Sequence, residues 1–444
     1  MISRDILAWP ALGSGLFLAG LALAWFMPGA FWPLLWLAPL ALGLALAARF
    51  PGGATALWLL VTASGPEIWL TGLLHIANPE GVLGAEKGLG LVLVLLCLLR
   101  FGPRRDLVNP GLAFPMMFLG GVLHGFWPGL TLLAALRSVA GSMAPFAFGF
   151  VRLPLSWCRA VVGAVIAAPF AVVLLGLVLA AAGLRPLYAF QDGALRLGAS
   201  SLPAVLAGFC LTSIYALVLE QVRGARLWHL ALLAGDGAIM LATGARGPLA
   251  LAGIVILIAA VFIRTPAWPW ASRAPVLFAA LLAPSLAILA APWLGFLRLL
   301  TLAEQGDITS LSNRTLIWPI YERAFDSSPW LGWGTGSGKV VVPVGTLLWK
   351  LLGTNAAHDE YLRMAVEGGV VGLGLLILLF VLWWRQGLRH MARPEARLMW
   401  LVLLAFAIHS ATDNTLIATT ASLTFTWATA VFIRAEREAA PGSR

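Results

Sequence analysis

Uninterrupted runs of apolar residues are the feature of this sequence that most restricts its fold. A helix that crosses a bilayer needs about 20 mostly apolar residues, and continuous runs exclude a barrel, whose strands alternate over about ten residues. Several runs are short or interrupted by glycine and proline, so we predict 12 to 14 transmembrane helices. The candidate segments are 7–26, 31–49, 54–75, 84–101, 108–127, 129–150, 159–183, 198–220, 227–243, 248–264, 275–293, 363–385, 396–413 and 417–434.

The composition agrees with a membrane protein and excludes two other classes. Hydrophobic residues make up 60% of the 444 residues and charged residues 11%, against roughly 45–50% and about 25% in soluble proteins. So few charged residues cannot keep the surface of a soluble enzyme hydrated, which excludes that class. A disordered chain is excluded as well, because it needs many charged residues and few hydrophobic ones. Segment 7–26 exceeds the roughly 7–15 apolar residues of a signal peptide, so we interpret it as a retained first span.

The net charge of +10, from 29 Lys and Arg against 19 Asp and Glu, indicates the orientation. Cytoplasmic loops collect Lys and Arg, and alternation through the predicted spans puts the majority of them inside when both termini are cytoplasmic. The sequence shows no basic face on a nucleic-acid-binding fold, so we predict no nucleic-acid partner. Cys97, Cys158 and Cys210 lie in or beside apolar segments and indicate no disulfide framework.

One long segment, residues 295–362, departs from the membrane pattern because it carries many charged and aromatic residues. An ordered loop of this length is usually functional, and alternation places it outside. We therefore predict three parts: an N-terminal transmembrane bundle (1–294), an outer loop (295–362), and C-terminal helices with a cytoplasmic tail (363–444). Within the loop, the pattern over 312–325 predicts an amphipathic helix.

Three arginines are candidates for binding an anion. Arg137 lies in the middle of segment 129–150, and an ionisable residue at membrane depth is a functional hypothesis by default. Arg246 lies between glycines that allow a close approach, although snorkelling to the headgroups is the alternative. Arg314 begins a predicted helix, where a guanidinium and free N–H groups together favour phosphate; the alternative is an ordinary solvated arginine.

His358 is the only histidine of the outer loop and stands just before a spanning segment. Imidazole is the best general base near neutral pH, and the neighbouring Asp359 is placed to orient the ring. The alternative is a histidine that caps the helix. A metal site of His358, Asp359 and Glu360 is disfavoured, because consecutive residues rarely face one ion.

A glycine-rich run over 332–339 resembles a nucleotide-binding loop but fails its test. Trp333 and Val340 stand where a P-loop requires glycine and Ser or Thr. A backbone nest for an anion and a simple turn after Pro329 both remain open.

Three motif blocks occur in an order and spacing that resemble a known family. They are residues 243–247, then 313–318 with 329–334, then 358–362 with 367–372. On these blocks the chain resembles the O-antigen ligase and polymerase superfamily of bacterial inner-membrane glycosyltransferases.

Two positions depart from the family pattern, and one part of the chain lacks specific motifs. Ala245 stands where the family often has Ser, and Asp359 stands where Asn is common. Residues 1–240 match only as a series of spans.

The resemblance implies a fold and a reaction. The fold would be all-α and GT-C-like, with about 12 transmembrane helices and one large periplasmic loop that contains short helices. The reaction would transfer a glycan from undecaprenyl pyrophosphate to the lipid A–core oligosaccharide, in the inner membrane and facing the periplasm. It would need no metal, cofactor or nucleotide, and its partners would be those two lipids and the surrounding membrane lipids.

We expect the site residues to divide the chemistry between them. His358 would take the proton from the attacking hydroxyl, and Arg246 and Arg314 would stabilise the pyrophosphate leaving group, with Arg137 as a weaker candidate. Asp359 and Tyr361 would support His358.

Rival functions remain open at this point. An O-antigen polymerase or a protein O-oligosaccharyltransferase would use the same donor. Outside this class, a lipid-linked sugar transporter or flippase would explain the intramembrane Arg137, Glu67 and Asp236.

Overall fold

The computed structural model describes residues 42–74, 79–104, 108–191, 194–270, 272–274, 276–277, 314–352, 354–416 and 419–440. Four stretches with predictions lie wholly or mostly outside these ranges: segment 7–26, most of segments 31–49 and 275–293, and loop residues 295–313.

The described part of the chain is mostly helical, as predicted. Its helices are α1 (Pro51–Ala63), α2 (Pro66–Leu74), α3 (Pro79–Phe101), α4 (Ala113–His124), α5 (Leu132–Met143), α6 (Leu155–Ala181), α7 (Pro203–Arg223), α8 (Leu227–Thr243), α9 (Arg246–Phe262), α10 (Arg314–Asp326), α11 (Leu347–Leu352), α12 (Glu360–Leu388), α13 (Arg393–Ser410) and α14 (Thr419–Ala439). Shorter 3-10 turns lie at Pro110–Leu112, Ala144–Phe150 and Ser337–Lys339. An antiparallel hairpin that the sequence did not predict joins β1 (Tyr188–Gln191) to β2 (Ala194–Leu197).

Five helices within the described ranges are long and apolar enough to cross a membrane, and a sixth is formed if a bent pair counts as one span. The bent pair, Leu42–Arg49 with Pro51–Ala63, turns by 115°. These helices confirm a polytopic, helical membrane protein. The five straight candidates are Gly81–Phe101, Leu132–Phe150, Leu155–Ala181, Pro203–Arg223 and Glu360–Leu388.

The predicted segment 54–75 is two helices rather than one. Gly65 separates α1 from α2 with a left-handed backbone (φ +68°), and Pro66 then begins α2 with its ring at a position where the missing N–H costs nothing. A Cβ at Gly65 would lie 3.3 Å from the carbonyl oxygen of Ser200. The break therefore lets the turn before α7 pack closely against the α1–α2 corner.

Helix α7 is the centre of the bundle. It is buried along nearly its whole length and packs against α6, α8, α9 and α14. Such a helix must be apolar on all sides, which explains why this segment shows no amphipathic pattern in the sequence.

Ion pairs fix one end of the bundle. Glu220, near the end of α7, accepts from Arg434 of α14 at 2.6 Å, and Arg223 pairs with Glu395 at the start of α13 at 2.8 Å. The last turns of α7 and α14 and the first turn of α13 thus lie together. We call this the basic end.

The connections at the opposite end of the same helices form what we call the loop end. It contains the α8–α9 turn, the segment before α12, and the α13–α14 turn. The backbone N–H of Leu416, in the α13–α14 turn, donates to Glu360 at the start of α12 at 2.8 Å. The hairpin joins this end through Arg196, whose Nε donates to the carbonyl of Thr243 at 2.9 Å.

Helix α12 is broken at Gly369 (φ +60°, ψ −167°), a conformation that is essentially restricted to glycine. The break leaves backbone groups without helical partners. The N–H groups of Val370 and Val371 donate instead to the carbonyls of Pro329 (2.8 Å) and Trp330 (3.2 Å).

The same loop also satisfies the carbonyl side of the break. Trp333 donates its backbone N–H to Val366 at 2.9 Å, and Gly334 donates to Glu367 at 2.9 Å. The glycine-rich run is therefore a packed plug against α12 and α4, and a Cβ at Gly332 would lie 2.5 Å from backbone atoms of α12. This contact explains why glycines occur in both the second motif block (329–334) and the third (367–372): the two stretches pack backbone against backbone.

Gly369→Ala should destabilise the protein by at least about 1–3 kcal/mol, the cost of a forbidden backbone conformation. The added Cβ would also lie 2.3 Å from the Trp330 backbone. The measurement is the thermal unfolding midpoint in detergent. Gly374→Ala is the matched control on the same helix, because a Cβ there meets open space and alanine favours a helix by about 1 kcal/mol. Equal midpoints for the two variants would contradict the proposed packing.

Candidate functional site

His358 occupies an unusual backbone conformation at the loop end. Its φ is +51°, a left-handed value that costs a residue with a Cβ roughly 1–2 kcal/mol. Its backbone N–H donates to Oδ1 of Asn414 at 3.1 Å. Strained residues of this kind persist only where the surroundings hold them, and they cluster at functional sites.

The imidazole of His358 has polar neighbours on both nitrogens and is about one-third exposed, at 32%. Nδ1 lies 3.5 Å from Oδ1 of Asp413 and 3.3 Å from the amide nitrogen of Asn414. Nε2 lies 3.4 Å from the hydroxyl of Thr354. The ring is thus oriented by its Nδ1 side and still reaches solvent.

Asp413 lies between two imidazoles. Its second carboxylate oxygen is 3.6 Å from Nε2 of His409, and its first accepts from the backbone N–H of Asn414 at 2.8 Å. Burial alone would raise the pKa of Asp413, but the nearby imidazoles of His358 and His409 and the N–H of Asn414 outweigh burial and hold the pKa well below its usual range. The carboxylate therefore stays charged at neutral pH.

Asp413, His409 and Asn414 were not among the site residues predicted from the sequence. Asp413 ends apolar segment 396–413 and Asn414 follows it, before segment 417–434, and these two polar residues were the available signal. Nothing in the spacing showed that the α13–α14 turn meets the segment before α12, because more than 50 residues and two spanning segments separate them.

Asp359 and Tyr361, expected to support His358, have other contacts in the structure. Asp359 is the N-cap of α12 and accepts from the backbone N–H of Leu362 at 3.0 Å. Tyr361 donates its hydroxyl to the carbonyl of Ala407 on α13 at 2.9 Å. The position beside the His358 ring belongs to Asp413 instead.

Helix α10 holds the segment before His358 in place through two aromatic side chains. Trp318 donates its indole N–H to the carbonyl of Ala357 at 2.9 Å, and the buried Tyr321 donates its hydroxyl to Asn355 at 2.7 Å and to Gly338. This helix confirms the amphipathic element predicted over 312–325. Ile317 and Tyr321 on its apolar face are buried.

A buried charge triad fixes the first turns of α12. Arg363, 2% exposed, donates to both carboxylate oxygens of Glu360 at 2.8 and 2.6 Å and to Glu367 at 2.8 Å. Glu360 also accepts from Leu416, so the triad joins α12 to the turn that carries Asp413. Removing one member of such a group leaves an uncompensated buried charge.

Arg246 is the first residue of α9, at the same end of the bundle as His358. Gly244, in the left-handed conformation (φ +66°), ends α8 two residues earlier, and this sharp turn sets the guanidinium at the loop end. The side chain is half-buried and makes no hydrogen bond or ion pair with another residue of the described ranges.

The other two predicted arginines lie on α10 and α5. Arg314 is the first residue of α10, one helical turn before Trp318, which contacts the His358 segment. Arg137 is exposed on α5, beside Gly84 of α3. Its neighbour Ser138 contacts the plug at Gly336.

No group of three or more His, Cys, Asp or Glu side chains in the described residues is arranged to hold a metal ion.

Comparison with known families gives one finding. Residues 229–377 match a family model described as O-Antigen ligase, and this range contains all three motif blocks. The resemblance stated from the motifs is thereby confirmed. No curated protein shows a significant match to the chain.

Arg363→Gln should cost about 3–5 kcal/mol of stability, because it leaves Glu360 and Glu367 buried without a counter-charge. The measurement is again thermal unfolding in detergent. Arg389→Gln, at the exposed C-cap of the same helix, is the control and should leave the midpoint unchanged. A midpoint for Arg363→Gln equal to that of the control would refute the structural role of the triad.

Proposed function

We propose, from the O-Antigen ligase domain at residues 229–377, that the protein is an inverting glycosyltransferase that moves a glycan from undecaprenyl pyrophosphate to the lipid A–core oligosaccharide. The observation that carries this proposal is the placement of His358 against a charged Asp413, at the end of the bundle where Arg246 begins α9. A general base and a fixed cation at one end are what transfer from a lipid pyrophosphate requires.

The proposed step conserves atoms and charge. The acceptor hydroxyl oxygen attacks the anomeric carbon, the bond from that carbon to the pyrophosphate oxygen breaks, and the hydroxyl proton passes to His358. Direct attack inverts the anomeric configuration. Such proton transfer contributes about 10²–10⁴ in rate.

The neighbours of His358 indicate which nitrogen acts as base. Asp413 attracts an Nδ1–H and Asn414 offers a hydrogen to a bare Nδ1, and the charged partner makes the stronger hydrogen bond. Nδ1 then carries the hydrogen, Nε2 accepts the proton from the sugar, and Asp413 stabilises the imidazolium that forms.

The leaving pyrophosphate needs positive charge at fixed positions, and we assign this role to Arg246 and Arg314, with Arg137 in a weaker role. Losing one such donor typically costs about 10²–10³ in rate. The support is positional: Arg246 opens α9 at the loop end, and Arg314 opens the helix whose Trp318 contacts the carbonyl of Ala357.

We assign the part of the isoprenoid tail nearest the pyrophosphate to an apolar cavity between α12 and α13. It has a volume of about 310 Å³ and polar residues Glu360 and Ser410 at its loop end. Its α12 wall runs from Tyr361 to Val381, on both sides of the break at Gly369. A tail in this cavity brings the pyrophosphate close to His358.

The membrane orientation follows the distribution of arginine. Arg104, Arg223 and Arg434 lie at the basic end, so the positive-inside rule supports a cytoplasmic basic end and a periplasmic site in the inner membrane. With both termini cytoplasmic, the chain would have 12 to 14 spans in a GT-C-like fold. The division into 1–294, 295–362 and 363–444 stays a prediction.

Rival functions differ in the acceptor or in the reaction. An O-antigen polymerase and a protein O-oligosaccharyltransferase share the donor chemistry, and the family match is compatible with both. A flippase is disfavoured because the polar residues concentrate in one large outer loop. Asp236, one of the residues that favoured a flippase, accepts a hydrogen bond from Ser213 at 2.5 Å.

His358→Ala and Arg246→Ala should each abolish glycan transfer while expression and thermal stability stay at the wild-type level. The assay measures glycosyl release from a labelled lipid-linked donor by purified protein, without a gradient. Transfer should continue in excess EDTA. Full activity in either variant would overturn that residue's assignment.

The EDTA experiment tests the metal-independent mechanism. A loss of activity in EDTA that added Mg²⁺ restores would overturn it.

Asp413→Asn should lower kcat at least about tenfold, because the uncharged amide no longer stabilises the imidazolium, while Asp359→Asn should stay near wild type because Asn caps a helix as well as Asp does. The two variants make the same chemical change at two places, the α13–α14 turn and the N-cap of α12. The reverse order of activities would return the supporting role to Asp359.

The acceptor is decided by competition. Reconstituted protein is offered lipid A–core, a second lipid-linked glycan and a pilin-type protein together, and the labelled product is identified. We expect glycan on lipid A–core. Label on the second lipid-linked glycan would identify a polymerase, and label on the protein would identify an oligosaccharyltransferase.

A further inference from the structure

A second cavity, lined by arginines, lies at the basic end, at the opposite end of the bundle from His358. It is open, has a volume of about 500 Å³, and is lined by Arg100, Phe101, Arg152, Pro154, Leu155 and Arg437. Three helix termini meet there: the end of α3, the start of α6 and the last turns of α14. The cavity is therefore at the level where spanning helices leave the membrane.

Backbone contacts hold the walls of this cavity in place. Arg104 donates its backbone N–H to Phe150 at 2.7 Å, and Arg152 donates to Gly102 at 3.1 Å, which ties the end of α3 to the segment before α6. The guanidinium of Arg100 is itself oriented, because it donates to the carbonyl of Arg49 at 2.9 Å and to that of Ala48.

The arginines that line the cavity differ from their neighbours at the same end. Arg104, Arg223 and Arg434 each have a carboxylate partner, namely Glu436, Glu395 and Glu220.

By contrast, Arg152 and Arg437 are exposed and have no carboxylate partner within the described ranges. Among the described residues, the lining of the cavity contains three guanidinium groups and no acidic residue. The cavity therefore favours an anion.

The remaining lining residues show what else the anion carries. Phe101, Pro154 and Leu155 give the cavity an apolar side next to the three arginines. A free inorganic anion has no apolar part that could contact this side. A phospholipid has one, because its phosphate is joined through glycerol to acyl chains. Guanidinium groups bind phosphate with two parallel hydrogen bonds, and basic pockets between transmembrane helices bind anionic headgroups.

We propose that this cavity binds the headgroup of an anionic phospholipid, with the phosphate between Arg100, Arg152 and Arg437 and the upper acyl chain against Phe101 and Leu155. The site is separate from the proposed transfer reaction and does not depend on it.

The test uses the full-length protein in detergent, with thermal unfolding followed as phosphatidylglycerol or phosphatidylcholine is added at equal mole fraction. Inorganic phosphate forms a third arm. We expect phosphatidylglycerol to raise the midpoint more than either of the others. Arg152→Gln and Arg437→Gln should each weaken the apparent affinity for phosphatidylglycerol about fivefold, the effect of one basic residue near an anionic surface.

Two control variants separate a built site from general surface charge. Arg152→Lys keeps the charge and should stay within about twofold of wild type. Arg397→Gln removes an exposed arginine in the first turns of α13, at the same end but outside the cavity, and should have no effect. Equal stabilisation by phosphatidylcholine or by phosphate alone, or an equal loss in Arg397→Gln, would overturn the proposal.

Discussion

Backbone groups inside a membrane must find partners within the protein, and the break of α12 at Gly369 makes this constraint decisive for the whole loop end. The freed groups of Val366, Glu367, Val370 and Val371 are satisfied by the 329–334 loop. That loop places Gly338 where Tyr321 reaches it, and Tyr321 in turn contacts Asn355, three residues before His358. The position of the imidazole thus follows from how a broken helix is repaired.

The first two turns of α12 carry several roles at once. Asp359 caps the helix, Glu360 and Glu367 hold Arg363, and Tyr361 joins the helix to α13. Because the side chains at i, i+3 and i+4 lie on one face of a helix, the triad occupies a single buried face. The cavity between α12 and α13 begins beside it, so charge pairing and an apolar channel come from the same short stretch of sequence.

Much of this architecture could be predicted from the sequence. Apolar runs located the described helices to within a few residues, as in α8, and the amphipathic pattern located α10. The break between α1 and α2 was missed, because Gly65 and Pro66 lie inside a run whose hydrophobicity is continuous. The hairpin β1–β2 was missed too, because it is short and lies between two spans.

The candidate site was predictable in its central residue but not in its surroundings. His358 stood out because it is the one histidine of a polar loop, whereas its charged neighbour Asp413 comes from a turn that only the three-dimensional packing of α12, α13 and α14 brings close. Adjacency in sequence pointed to Asp359, and helix geometry gave that residue a capping role instead. The glycine motifs were visible as a pattern, but their cause was a contact between two distant segments.

The hydrogen bond from Leu416 to Glu360 has a consequence for how substrates arrive. If the α13–α14 turn moved away, the buried Glu360 would lose one of its hydrogen bonds and the N–H of Leu416 would lose its acceptor, so the turn holds Asp413 at a fixed place beside His358. In the proposed reaction, substrates would therefore be brought to a fixed point, and selectivity among them would rest on the residues that line their approach rather than on movement of His358 and Asp413.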